Sequence, residues 1–136
     1  MSNNVIENLF GKIFLEDGII HFIRNSNNDI DLTGAKLCTE HSKIVSKGIP
    51  SPTYVDISRI KDAPIEVRQH FASEEALGHI TAIAIFVNSS LTAFMANTFL
   101  IFGKPVRPTR VFNDKESALQ WLEGYKIKKA ENALGA

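Results

Sequence analysis

The stretch Ile80–Gly103, ITAIAIFVNSSLTAFMANTFLIFG, carries no charged residue, whereas charges are spread through the rest of the chain. Its first part, Ile80–Val87, is rich in β-branched and aromatic residues, which is typical of a strand buried on both faces. The polar tripeptide Asn88–Ser90 follows, and residues of this kind cap the start of helices. We therefore predict a central strand, a break at the tripeptide, and a helix Leu91–Phe102 folded back onto the sheet.

A transmembrane helix is the alternative interpretation of this stretch, because about 20 predominantly apolar residues suffice to span a bilayer. The tripeptide Asn88–Ser90 argues against it, since its polar groups would lie in the middle of the hydrocarbon. We expect no transmembrane segment and a water-soluble protein.

Size, charge and cysteine content limit the classes of protein to consider. With 136 residues, the chain suits a single domain over residues 1–136. Basic and acidic residues both number 15, so the net charge is zero, which argues against nucleic acid and does little to oppose self-association. The single cysteine, Cys38, excludes an intrachain disulfide, and the N-terminus lacks the pattern of a secretory signal. We expect a cytoplasmic protein.

The N-terminal part of the chain predicts a hairpin followed by a helix. Asn8–Glu16 alternates imperfectly as a strand, the dipeptide Asp17-Gly18 favours a tight turn, and Ile19–Arg24 forms the return strand. Asp29 or Asp31 is placed to cap the helix that comes next.

Helices and strands then alternate along the chain. The first helix is expected to end at Lys47-Gly48, and Thr53–Ile57 has the composition of a short strand. Asp62 would cap a further helix, which restarts at Ser73. After the central strand and its helix, Thr109–Phe112 is predicted as the last strand.

A final helix, capped by Asn113 or Asp114, ends the regular structure, and residues 124–136 are expected to be helical at first and then frayed. Its buried face is predicted to comprise Ala118, Leu119, Trp121 and Leu122. The order of elements indicates parallel strands joined by right-handed crossovers. The sequence thus predicts an α/β fold with a mixed sheet of about five strands and about four helices.

Several segments match a known fold family. They are Tyr54–Ser58, Val67-Arg68, Ala82–Asn88, Pro108–Asp114, Ala118 and Trp121-Leu122. Together with the order of elements, they resemble the SpoIIAA-like, or STAS-like, domains of anti-sigma-factor antagonists and of uncharacterised bacterial relatives. The resemblance implies the fold of these domains, an N-terminal antiparallel hairpin followed by parallel strands, and no specific activity, because most such proteins have none assigned. The phosphorylatable serine of the antagonists has no match, because Lys61–Ile65 contains no serine.

No motif in the chain names a reaction. Phosphate loops and the metal motifs HExxH and CxxC are absent, and the four histidines show no ligand spacing: His21, His41, His70 and His79. Cys38 falls on the apolar face of the first helix, where a buried structural thiol is expected. We predict no catalytic residue, no cofactor and no metal. An enzyme would need a convergent set such as Asp56, Arg68 and one histidine.

The apolar helix Leu91–Phe102 and the cations after it are the predicted functional surface. A helix that is apolar on more than one face is either buried twice or exposes a patch for a partner. Three cations, Lys104, Arg107 and Arg110, would hold a phosphate, a lipid headgroup or an acidic partner, unless an arginine simply pairs with a carboxylate such as Asp114. The predicted surface consists of Phe94, Met95, Thr98, Phe99, Phe102, Lys104, Arg107 and Arg110.

Two functions are compatible with this surface. The first is a non-catalytic interaction module that binds a protein partner or a second copy of itself, which would make a homodimer. The alternative is a carrier or sensor of a lipid or another small apolar ligand, held between the helix Leu91–Phe102 and the sheet, with an arginine near the headgroup.

Overall fold

A computed structural model describes residues 5–24, 30–57, 64–90 and 105–126 of the protein. The strands in these ranges are β1 Ile6–Asn8, β2 Gly11–Glu16, β3 Ile19–Ile23, β4 Ser51–Asp56, β5 Ile80–Phe86 and β6 Thr109–Phe112. The helices are α1 Leu32–Ser46, α2 Ile65–Phe71, α3 Glu74–Leu77 and α4 Lys115–Glu123. Within the same ranges no helix is long and apolar enough to cross a membrane.

One mixed sheet contains these strands in the order of the chain, β1 to β6. β1, β2 and β3 pair antiparallel, whereas β3 to β6 pair parallel. The predicted architecture, a hairpin followed by parallel strands, is therefore confirmed. The described part of the chain has one strand more than the five expected.

The extra strand arises because the segment predicted as one strand, Asn8–Glu16, contains a turn. The Asn8 Oδ1 atom accepts hydrogen bonds from the N–H groups of Phe10, at 2.8 Å, and Gly11, at 3.2 Å. This local bonding is typical of asparagine turns. Gly11 has a positive φ of 153°, and a Cβ at this position would collide with the carbonyl oxygen of Ile23. The chain therefore breaks into β1 and β2.

Four predicted turn and cap signals within the described residues are confirmed. Asp17 and Gly18 both have positive φ, 53° and 77°, as a two-residue hairpin turn requires. Asp31 caps α1 by accepting the N–H of Gly34 at 2.8 Å. Ser73 and Asp114 likewise cap α3 and α4.

Four further features differ from expectation or lie outside the described residues. β4 begins at Ser51, earlier than predicted, because a register shift between Ser51 and Thr53 accommodates a proline in the strand. The prediction that the last helix continues past Gly124 is wrong for the described residues 124–126. α4 ends at Glu123, and the Tyr125 N–H donates to the carbonyl of Leu122 in a turn. The predicted Asp62 cap and the helix over 91–102 lie outside the described ranges.

β5 is buried on both faces, as predicted, and its alternation divides the core. Ile83, Ile85 and Val87 pack on the face that carries α1, α2 and α3, here called the α1 face. Ala82 and Ala84 lie on the opposite face, the α4 face, beneath the last helix. Every strand that pairs with β5 inherits this division, because side chains alternate with a period of two.

A packing contact on the α1 face gives the first test. Gly34 lies in α1, where replacing glycine by alanine ordinarily stabilises a helix by about 0.5–1 kcal/mol. Here an added Cβ would lie 2.6 Å from the Cζ atom of the buried Phe10 ring. We expect Gly34→Ala to lower the free energy of unfolding by about 1–3 kcal/mol, because the site is overpacked.

Urea unfolding measures this change, and the double variant Gly34→Ala/Phe10→Leu is its control. The smaller side chain should recover part of the loss, which a double-mutant cycle would show as a coupling energy. A stabilising Gly34→Ala would contradict the assigned contact.

Candidate functional site

The packing of α4 against the sheet determines where the candidate site lies. Ala118 and Leu122 of α4 and Ala82 and Ala84 of β5 are all fully buried, with no exposed side-chain area. Alanine has no atoms beyond Cβ, so the helix can approach β5 closely and fill the space with Leu122. One flank of α4 consequently lies over β6, at the edge of the sheet.

Three aromatic rings and one guanidinium meet on this flank and are here called the aromatic edge: Arg110, Phe112, Trp121 and Tyr125. The ring centroids of Phe112 and Trp121 are 5.7 Å apart, and those of Trp121 and Tyr125 are 4.9 Å apart. All three rings are half-buried. The exposed guanidinium of Arg110 lies 5.2 Å from the centre of the Phe112 ring, a distance suited to a cation–π contact.

Arg110 is the charged group of the aromatic edge. Trp121 on α4 contacts Tyr125 in the turn after the helix, while helical spacing places Lys115, Glu116 and Glu123 on the other flank of α4. Among the described residues, no carboxylate forms an ion pair with Arg110. The edge thus combines a large aromatic area with one exposed positive charge.

Arg107, also predicted as part of the functional surface, is bonded into the scaffold. Its Nη1 and Nη2 atoms donate to the two carboxylate oxygens of Glu74 at 3.1 and 3.0 Å, and its Nε donates to the carbonyl of Ile80 at 2.9 Å. The carboxylate partner is therefore Glu74 and not Asp114. Asp114 instead accepts hydrogen bonds from the hydroxyl and N–H of Ser117, which lower the pKa of its carboxyl group.

The remaining predicted surface residues lie outside the described ranges. They are Phe94, Met95, Thr98, Phe99, Phe102 and Lys104. Their role stays a prediction. Two residues of the predicted surface are therefore described. Arg107 is bonded to neighbouring elements, and Arg110 is an exposed cation.

A second exposed surface, the aliphatic surface, lies at the opposite side of the molecule and consists of Leu9, Leu37 and Ile44. Leu9 is 67% exposed, and Ile44 is 61% exposed. Leu37 and Ile44 are two turns apart on α1, on the same side of the helix. Asn8 Nδ2 lies 3.0 Å from His41 Nδ1, within hydrogen-bonding distance. This contact places β1 and Leu9 beside this part of α1.

Three of the four histidines hold α1 to its neighbours. Besides the bond from Asn8 to His41, the Nε2 of His70 lies 2.7 Å from Thr39 Oγ1, and the Nε2 of His79 lies 2.6 Å from Ser42 Oγ. Within the described residues, no group of three His, Cys, Asp or Glu side chains could hold a metal ion.

His21 is packed among aromatic rings on the α4 face. It is 3% exposed, its ring stacks on Phe14 at 4.8 Å, and Tyr54 lies on its other side. Burial lowers the pKa of His21, and nearby Lys115 adds to this effect, while Glu16 opposes it. Burial thus favours the neutral form of the imidazole.

The remaining reactive groups are also placed by the scaffold. Cys38 is buried, as predicted, and burial raises the pKa of its thiol to about 11, which keeps it protonated. Asp56 alternates with Val55 and so lies on the α4 face, whereas Arg68 belongs to α2 on the α1 face. The catalytic set considered from the sequence is therefore divided between the two faces of the sheet.

Trp121, predicted on the buried face of the last helix, is half-buried and lies at the border of that face. A signal for part of the aromatic edge was available: Trp121 and Tyr125 are four residues apart, a spacing at which side chains meet along a helix, and the turn after α4 keeps them in contact. Their contact with Phe112 depends on how α4 crosses β6, which local spacing does not reveal.

The pH dependence of folding tests the role of His79. Burial, with a smaller effect of Lys43, lowers the pKa of His79 to about 4, against about 6.5 in an unfolded chain. Between these values the unfolded state binds the proton and the folded state does not, so stability falls as the pH falls. The pKa values of His21 and His70 are also lowered by burial, which adds to the same trend.

We expect the urea midpoint to decrease from pH 7 to pH 4.5 and the His79→Gln variant to lose less over this range. The glutamine retains an amide that can bond Ser42 but does not titrate. Equal slopes for the variant and the wild type would exclude His79 as a source of the pH dependence.

Comparisons with known proteins support the fold and leave the function open. The model of a family described as "Domain of unknown function (DUF7793)" matches residues 13–126. A crystal structure of an uncharacterised protein of the DUF3478 family from Shewanella loihica PV-4, with a SpoIIAA-like fold, is 18% identical, with a TM-score of 0.59. The match covers 86% of this chain and 98% of that one, so the chain has a SpoIIAA-like fold. No curated protein matches the chain.

Proposed function

This chain belongs to the DUF7793 family, a domain of unknown function, and we propose that it is a non-catalytic module that binds a protein partner through the aromatic edge. One observation carries the proposal: the exposed guanidinium of Arg110 lies over Phe112, the first of three half-buried aromatic rings in contact at the edge of the sheet. Tryptophan, tyrosine and arginine are the residues most enriched among those that dominate binding energy at protein interfaces.

The geometry of the aromatic edge favours binding because its residues are already ordered. Phe112 is in contact with Trp121, and Trp121 with Tyr125, so each ring restricts its neighbour. Ordered side chains lose less conformational entropy when a partner docks, which leaves more of the contact energy for affinity. Half-buried rings also retain apolar area that a partner can cover.

The positions of the thiol and the histidines support a binding role over catalysis. The thiol of Cys38 is protonated and buried, and the histidines on the α1 face are engaged with the side chains of α1 and β1. These groups contribute to the scaffold instead of converging on a common cleft. A rigid sheet whose aromatic edge is formed before binding is suited to binding a partner protein.

Charge reversal at Arg110 tests the proposed function. We expect Arg110→Glu to reduce capture of the partner from lysate of the native host by at least about tenfold, as loss of a dominant interface residue does. Quantitative mass spectrometry of affinity-captured proteins measures the change.

Lys12→Glu is the matched control, because Lys12 is an exposed cation of β2, far along the sheet from β6. It should leave capture unchanged, and thermal melts should show both variants folded. Equal capture by Arg110→Glu and the wild type, or no reproducible capture by the wild type, would contradict the proposal.

Self-association is a second candidate function, favoured by the aliphatic surface. Leu9, Leu37 and Ile44 expose large apolar side chains beside β1, the first strand of the sheet, and apolar patches of this kind mark interaction sites. The zero net charge of the chain offers little repulsion between copies. We propose that a second copy covers this surface in a homodimer.

Sedimentation velocity over a concentration series tests the homodimer. We expect Ile44→Asp to shift the wild-type dimer to monomer. Ile65→Asp is the control, because Ile65 is also 61% exposed but belongs to α2, on the other side of α1. A wild type that stays monomeric, or equal effects of the two variants, would rule out this interface.

A further inference from the structure

The outer edge of β6 has backbone groups that point away from the sheet. In the parallel pairing with β5, Ile83 N–H donates to Pro108 O and Val87 N–H donates to Phe112 O, both at 2.9 Å. Because backbone groups alternate in direction along a strand, the N–H and C=O groups of Thr109 and Val111 face outward. In the described part of the chain, no strand pairs with this side of β6.

The side chains of β6 determine the chemical surroundings of a strand that pairs with its outer edge. Arg110 pairs in register with Ala84, and Phe112 with Phe86, so both lie on the α4 face, next to Trp121. A strand added to β6 would place one side chain about 5 Å from Arg110 and another, two residues along, beside Phe112. The first position is basic and the second is aromatic.

From this arrangement we infer that β6 receives an extended segment of the partner protein, with an acidic residue opposite Arg110 and an apolar residue two positions away against Phe112 and Trp121. The inference rests on the proposed function and adds the chemistry of the partner. Charge complementarity selects the acid, because no carboxylate of the described residues neutralises Arg110. Strand addition supplies the backbone hydrogen bonds, and the two side-chain positions supply the specificity.

Both ends of β6 are fixed before any partner arrives. Preceding the strand, Arg107 ties its loop to Glu74 of α3 and to the carbonyl of Ile80. Following it, Asp114 caps α4 and starts the helix directly. A strand held at both ends presents its outer edge in a single conformation, which lowers the entropy cost of adding a neighbour.

Selection from a phage library of random peptides of about eight residues, a length that spans a short strand with flanks, tests the inference without a known partner. The immobilised baits are the full chain and its Arg110→Glu variant, after urea unfolding has shown equal stability. We expect the wild type to enrich peptides with Asp or Glu two positions from an apolar residue. The variant should enrich Lys or Arg at the acidic position. No enrichment, or the same peptides on both baits, would overturn the inference.

Backbone pairing is tested with a synthetic peptide of the enriched sequence, N-methylated at alternate residues in two complementary sets. In a strand, the N–H groups of only one set face β6, so one set should weaken binding at least about tenfold and the other should not. Equal binding of both sets would overturn strand addition. If host capture still depended on Arg110, the proposed function would survive that result. If the peptides behaved as expected and no host protein depended on Arg110, the proposed function would fail instead.

Discussion

The contact between α4 and the paired alanines of β5 is the constraint on which the α4 face depends. Ala82 and Ala84 leave room for the helix to lie close to the sheet, and Ala118 and Leu122 fill that room completely. A larger side chain at either position would force the helix outward, because cores of this density do not absorb extra methylene groups. The direction of α4 then brings Trp121 over the edge strand, where it meets Phe112.

Polar contacts perform the corresponding task on the α1 face. The side chains of Thr39 and Ser42 on α1 are bonded to His70 and His79, and Asn8 is bonded to His41. These bonds satisfy polar groups that the packed helices would otherwise leave without partners. Apolar clusters pack beneath the helices on both faces, and the hydrogen bonds of the histidines add to this packing on the α1 face. The two edges of the sheet are therefore held in place. Both proposed interaction surfaces lie at these edges.

Features with a local chemical cause could be predicted from the sequence. The Asp17-Gly18 turn and the Asp31 cap follow from side chains and backbone angles within a few residues. The break between β1 and β2 was missed, although the Asn8 turn is local, because the need for glycine at position 11 comes from Ile23 on another strand. The aromatic edge and the pairing of Arg107 with Glu74 were also missed, since both join elements that are distant in sequence. Propensity describes segments, whereas sites arise from their packing.

Trp121 is the single tryptophan of the chain, and its fluorescence reports directly on the packing of α4 against the sheet. In an Ala84→Leu variant, the overpacked contact should cost about 1–3 kcal/mol of unfolding free energy. The account predicts that the emission of Trp121 shifts to longer wavelength as the ring leaves Phe112, while far-UV circular dichroism stays near that of the wild type. An unchanged emission maximum together with an unchanged urea midpoint would contradict the claim that the alanines of β5 position the aromatic edge.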